Sequence, residues 1–283
     1  MSTFSSKFDD QKCAPSKNFD KNNNTCFSEE QLLKMAKAYN NTTSKNKIIL
    51  NSPTKQYLLS SLLDRLDNTC KTQQCLIRQE FVRKLDDFDI LYNTYRPKGP
   101  IGKNKWLSSS DIDQIMLQYV HAHKDFEFFG AVPLDFENIR MPIDFSSDNL
   151  SKILTNMVKE KKNKIGFVFN LDKHYQPGSH WTALFANLKN NQIYYFDSTG
   201  YKPEKEIINF MNKIKDWCYK NNSSDVDLQW NKVKHQFKGS ECGVYSVNFI
   251  IRMLKGDSFM KISKNPVFDD DINKHREEYF RFN

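Results

Sequence analysis

All nine glycines of this 283-residue chain lie at position 99 or later, and all four tryptophans at 106 or later. Two differently built regions are therefore expected. They meet at Arg96-Pro-Lys-Gly-Pro-Ile-Gly102, a stretch that can be neither helix interior nor strand interior. Before this joint the pattern is helical. Ser28-Glu29-Glu30-Gln31 has the spacing of a capping box, and Leu32, Leu33, Met35, Ala36 and Tyr39 follow at helical period. Residues 57–66 and 76–92 continue in that style, the second with Leu76, Ile77, Phe81, Leu85 and Phe88 on one stripe. The pattern predicts a helical N-terminal arm over 1–100 and a core over 101–283.

The core mixes periods. A helix is predicted after the serines at 108–110, carrying Ile112, Ile115, Met116 and Tyr119. Short strands are predicted at 126–131, 165–171, 181–187, 192–197 and 226–230. Helices are predicted over 203–219, over 242–254 with a stop at Gly256, and over 269–280. Strands clustered between helices give an α+β class. With 39% hydrophobic residues the chain can build a core, and no apolar run approaches the ~18 residues of a spanning helix. Residues 1–12 have no signal-peptide apolar region. A soluble protein from a reducing compartment is expected, with no membrane partner. Its six cysteines are too sparse for a disulfide scaffold. Cys70 and Cys75 have no nearby His to complete a zinc set, so neither metal nor cofactor is expected.

The net charge of +8 invites a nucleic-acid reading, but 34 Lys stand against 8 Arg, beside 28 Asn. Lys and Asn rising together look like the product of an AT-rich genome, whereas base readers and phosphate clamps favour Arg. Only a weak attraction to polyanions is left.

Chemistry concentrates in three segments. In His235-Gln-Phe-Lys-Gly-Ser-Glu-Cys242-Gly243 a cysteine follows a Gly-Ser turn and opens an apolar helical run. Unpaired N–H groups at such a helix start favour a thiolate, and Gly243 would let a substrate backbone approach without a Cβ in the way. Upstream, Gly178-Ser-His180-Trp and Tyr195-Phe-Asp197-Ser-Thr-Gly200 sit at the ends of predicted strands. An even-length loop around 188–191 would set Thr182 opposite Asp197, with His180 and Asp197 as diagonal neighbours on one face. An odd loop would put them on opposite faces. In the first case the carboxylate orients an imidazole that takes the Cys242 proton. Gln236 supplies an uncharged donor for an oxyanion, and His235 is a rival for the base.

His-Trp, then Tyr-Phe-Asp-Ser, then Gln-x5-Cys-Gly resembles the Ulp/SUMO-specific cysteine protease superfamily. Within it the chain is most similar to the polyprotein-processing proteases of African swine fever virus and its large-DNA-virus relatives. The resemblance is specific over about 101–255 and faint over 1–100. Glu241 stands where the superfamily usually has Asp before the cysteine, and Asp197 where the swine fever enzyme has Asn. The resemblance implies a papain-like, Ulp-type core with a central mixed sheet flanked by helices. It also implies catalysis by Cys242, His180, Asp197 and Gln236, and a tunnel closed by Trp181 and Trp106 that admits only Gly-Gly. The implied activity is a viral cysteine endopeptidase that cuts core polyproteins at Gly-Gly-X sites during virion maturation. It would act as a monomer on protein substrates, in the host cytoplasm and the virion. Removal of a ubiquitin-like modifier is the alternative within the enzyme class, and a non-catalytic binding module the alternative outside it.

Overall fold

Residues 13–102 and 104–281 are described by the structure, a computed structural model. Residues 1–12, read above as lacking an apolar leader, lie outside them.

Capped helices build the first of two compact units, which takes the chain up to Lys98 and again from Phe280. Helix α1 (Glu29–Thr42) begins on the expected box: Ser28 Oγ accepts from the Gln31 N–H at 3.1 Å, and the Gln31 side chain accepts from the Ser28 N–H at 2.9 Å. Thr54 and Thr72 cap α2 (Lys55–Arg65) and α3 (Gln73–Arg78). The stretch read as continuous over 76–92 is instead interrupted. It holds the end of α3, then α4 (Glu80–Arg83) and α5 (Phe88–Tyr92), because Gln79 is extended and Asp86 takes φ +48°. Each turn is redirected so that Leu76, Val82 and Ile90 reach one core with Leu32, Met35 and Leu62.

Against the expectation of a reducing compartment and of cysteines too sparse for a disulfide scaffold, four of the six cysteines pair, as Cys13–Cys26 and Cys70–Cys75. Their Cα atoms lie 5.5 and 5.4 Å apart, within bridging range. Phe280 and Arg281 return to this unit. The Arg281 N–H donates to the Pro97 carbonyl at 2.9 Å and its Nε to the Arg96 carbonyl at 3.0 Å, so 101–283 is not one uninterrupted core.

Gly99–Tyr279 forms the second unit. Helix α6 (Ser109–Ala122) starts on a second capping box, Ser108 with Asp111, and buries Ile112, Ile115, Met116 and Tyr119. The centre is one mixed sheet with strands in chain order: β1 (Phe126–Pro133), β2 (Lys164–Asn170), β3 (Trp181–Asn187), β4 (Gln192–Phe196) and β5 (Asp227–Trp230). β2, β3 and β4 pair antiparallel, while β1–β2 and β4–β5 are parallel. Parallel neighbours need crossovers, supplied by α7 (Ser147–Lys159) and α8 (Lys205–Asn222). No helix was expected over 147–159, although Leu150, Leu154 and Met157 bury at helical spacing. Then follow α9 (Cys242–Leu254), α10 (Phe259–Lys264), α11 (Asp269–Lys274) and α12 (Arg276–Tyr279). The helix expected over 269–280 is thus split between α11 and α12.

Alternation along the strands divides the core. Phe167, Leu184 and Tyr195 pack with Leu154 of α7 and with Phe210 and Ile214 of α8. On the other face Phe196 stacks on Phe249 of α9, ring centroids 5.1 Å apart. All but one residue of α9 is buried, which explains why its sequence has no polar stripe.

Candidate active site

Strand register assembles the site. Asn187 pairs with Gln192 and Ala183 with Phe196, so the connecting loop is even and the same register carries on to Thr182 opposite Asp197. His180, just before β3, consequently reaches Asp197, just after β4: Nε2 lies 2.7 Å from Oδ1. Asp197 is 2% exposed and is held from several sides. Its Oδ1 also accepts from the Thr199 N–H at 2.8 Å and the Thr199 hydroxyl at 2.7 Å. Asn231, buried just after β5, clamps its backbone: the Asp197 N–H donates to Asn231 Oδ1 at 2.8 Å, and Asn231 Nδ2 donates to the Asp197 carbonyl at 2.7 Å. Thr199 stands inside a motif quoted above without a role. Asn231, 34 residues from Asp197, carries no local signal of its part.

With Nε2 on the carboxylate, Nδ1 remains for the hydrogen bond between His180 and Cys242. Burial alone would pull the imidazole pKa down. The Asp197 carboxylate and the Cys242 sulfur outweigh it and push the pKa up to about 9. His180 thus favours the charged imidazolium, the partner a thiolate requires. His235 has the opposite character. It is 2% exposed, burial lowers its pKa, and its ring packs edge-on against Phe196. That leaves the rival base neutral and engaged elsewhere.

Cys242 is the first residue of α9. No side chain caps this helix, unlike α1, α2 and α6, so the N–H groups of its first turn stay available to an anion. The thiol is covered, with the residue 1% exposed, while the His180 side chain keeps 19%. Gln236 is buried and tied to the residue after Asp197: Ser198 Oγ donates to Gln236 Oε1 at 2.6 Å. One Gln236 amide hydrogen goes to the Lys238 carbonyl at 2.8 Å.

The structure corrects the reason for Gly243. A Cβ there would meet Leu107 Cβ at 3.1 Å and Trp181 Cδ1 at 3.3 Å, so its bare edge receives protein and is not an open lane for substrate. Trp181 is 6% exposed and anchored through its indole N–H on the Leu107 carbonyl at 2.9 Å. Trp106, one residue earlier, keeps 43% of its surface exposed. Among the described residues no cluster of His, Cys, Asp and Glu is set to hold a metal ion, and no helix is long and apolar enough to cross a membrane.

The Ulp1 protease family, C-terminal catalytic domain, matches residues 141–281. Over 287 residues the chain is 39% identical to a protein of Acanthamoeba polyphaga mimivirus named "Putative thiol protease", covering 95% of this chain and 93% of that protein. It is 25% identical over 239 residues to a cysteine protease of African swine fever virus (isolate Tick/Malawi/Lil 20-1/1983), covering 79% of this chain and 88% of that one. The crystal structure of the African swine fever virus protease superposes with a TM-score of 0.62 at 22% identity, over 84% of this chain and 95% of the other, a likeness of fold.

Proposed function

The chain belongs to the Ulp1 protease family of cysteine peptidases, and on that premise we propose that it is an endopeptidase that cuts viral core polyproteins after Gly-Gly. The observation that carries the reading is a single relay: a covered thiol at an uncapped helix start, bonded to an imidazole that is bonded in turn to a buried carboxylate.

In this reading Cys242 is the nucleophile, His180 the base and then the acid, and Asp197 the group that orients His180. The sulfur attacks the carbonyl carbon of the residue before the scissile bond. Gln236 and the first N–H groups of α9 take the negative charge on the carbonyl oxygen, a contribution of about 3–4 kcal/mol per donor. The C–N bond then breaks, the leaving amine takes the proton from His180, and water hydrolyses the thioester.

The preference for glycine is supported by crowding. Cys242 is 1% exposed, and Trp181 and Leu107 fill the Gly243 edge next to it, which leaves little room around the thiol. A Gly-Gly backbone is the thinnest peptide that can enter. The viral relatives, named as thiol and cysteine proteases, support a protein substrate; in this reading that substrate is a viral polyprotein, cut in the host cytoplasm and the virion by a monomer. Catalysis is assigned to the core after residue 100, and the helical arm takes no step.

Cleavage of Gly-Gly-X and Gly-Ala-X peptides by wild type and Cys242→Ala tests this directly. Wild type should cut only Gly-Gly-X, and Cys242→Ala neither. Equal rates on the two peptides would remove the narrow-channel reading. A SUMO fusion run beside them tells polyprotein processing from deconjugation.

A further inference from the structure

The Gln236 amide is held at both ends. Ser198 Oγ donates to its Oε1 at 2.6 Å, and its Nε2 donates to the Lys238 carbonyl at 2.8 Å. The Ser198 backbone joins in, its carbonyl accepting from the His235 N–H at 2.8 Å and the Gln236 N–H at 2.9 Å. The Lys238 end is set by Asp269, the first residue of α11. Asp269 Oδ2 accepts from the Phe237 N–H at 2.9 Å and the Lys238 N–H at 3.0 Å, and Oδ1 accepts from the Tyr245 hydroxyl at 3.3 Å. Both Ser198 and Asp269 are buried.

An amide has two nearly isosteric ends, one donating and one accepting. Turned over, Gln236 would point lone pairs at a developing oxyanion and repel it. The Lys238 carbonyl, which can only accept, settles which end is the NH2, the Ser198 hydroxyl then holds Oε1 in place, and the clamped 237–238 backbone settles the distance.

We propose that Ser198 and Asp269 are positioning residues that preset the Gln236 amide toward the substrate carbonyl and act on the rate through that amide. The proposal rests on the protease reading above. Ser198 follows the triad carboxylate directly, so β4 delivers the acid of the triad and the orienter of the oxyanion donor in consecutive residues. Asp269 lies 33 positions beyond Gln236, on an element outside the triad.

The test measures kcat and KM on a Gly-Gly-X peptide for Ser198→Ala, Asp269→Asn and Gln236→Ala, and for each of the first two combined with Gln236→Ala. The rate of Cys242 alkylation by iodoacetamide is followed in parallel. Gln236→Ala should lose roughly 100-fold in kcat, the worth of one oxyanion donor. Ser198→Ala and Asp269→Asn should each lose about tenfold, part of that donor's contribution, with KM within about twofold and alkylation unchanged. Added to Gln236→Ala, neither should cost more. Losses that multiply in the double variants, or a Ser198→Ala enzyme at the wild-type rate, would overturn the proposal and leave the protease reading intact. A Gln236→Ala enzyme at full rate would overturn it together with the oxyanion assignment, and a Cys242→Ala enzyme that still cleaves would sink the protease reading itself. Should Asp269→Asn fail to fold, Ser198→Ala, which removes one oxygen, decides.

Discussion

At the scale of single residues the decisive quantity is the proton on His180. The imidazole pKa is raised to about 9, so the charged form and its pairing with Asp197 persist below that pH and are lost as pH rises through it. The kcat/KM profile should therefore fall on its alkaline side near pH 9. Asp197→Asn removes the carboxylate that holds the proton, so its alkaline limb should shift to lower pH, with a milder loss of rate than Asp197→Ala. A profile whose limb stays put in Asp197→Asn would show that the carboxylate does not govern the imidazole. Burial of the sulfur makes a second prediction. Measured against a free thiol treated with the same two reagents, Cys242 should favour iodoacetamide over a bulky maleimide by about tenfold, read by mass spectrometry, because the residue is 1% exposed while the His180 side chain beside it keeps 19%. The pairing of His180 with Asp197 was legible in the sequence as one of two registers, because the two-residue period of a strand and the parity of one short loop decide which side chains share a face. Asn231 was not, because what it holds is visible only once β4 and β5 lie side by side, and Thr199, two residues from Asp197, was quoted without a role.

Among elements, α9 shows how close packing and chemistry share one helix start. Gly243→Ala gains helix propensity of up to about 1 kcal/mol but places a Cβ 3.1 Å from Leu107 and 3.3 Å from Trp181. Both neighbours are buried and tied together by the Trp181–Leu107 hydrogen bond, so neither gives way cheaply. Overpacking of this kind costs about 1–3 kcal/mol, so a net destabilisation near 1 kcal/mol is expected in a denaturant titration. An unchanged midpoint would mean that α9 shifts freely. The capping boxes at Ser28 and Ser108 and all five strands were readable, because caps and alternation are local rules. The breaks at Gln79 and Asp86 and the split between α11 and α12 were not. There, reaching a common core outweighs helical continuity, and local period alone does not reveal it.

For the whole molecule the largest departure is the pair of disulfides in the first unit. The Cys13–Cys26 bridge spans 13 positions, a closure worth about 3 kcal/mol, whereas Cys70–Cys75 spans 5 and constrains less. Calorimetry with and without a phosphine reductant should show a melting transition lowered by roughly 10–20 °C on reduction, and no shift would mean that the bridges hold nothing open to the unfolded chain. Cysteine number and spacing are a poor guide here, since a bridge depends on two Cα atoms brought to within about 6 Å by the rest of the fold. The same logic separates what the chain declares locally from what it does not. Periodicity, caps and glycine placement were sufficient for the α+β class and the strand sequence, because each depends on neighbours a few positions apart, while the candidate groups His180, Asp197, Gln236 and Cys242 were named from their motifs. Which residues steady those groups, which edge of Gly243 is filled and where the last residues return were decided only by packing, because contacts between distant segments exist only after the sheet and helices have closed around a common core.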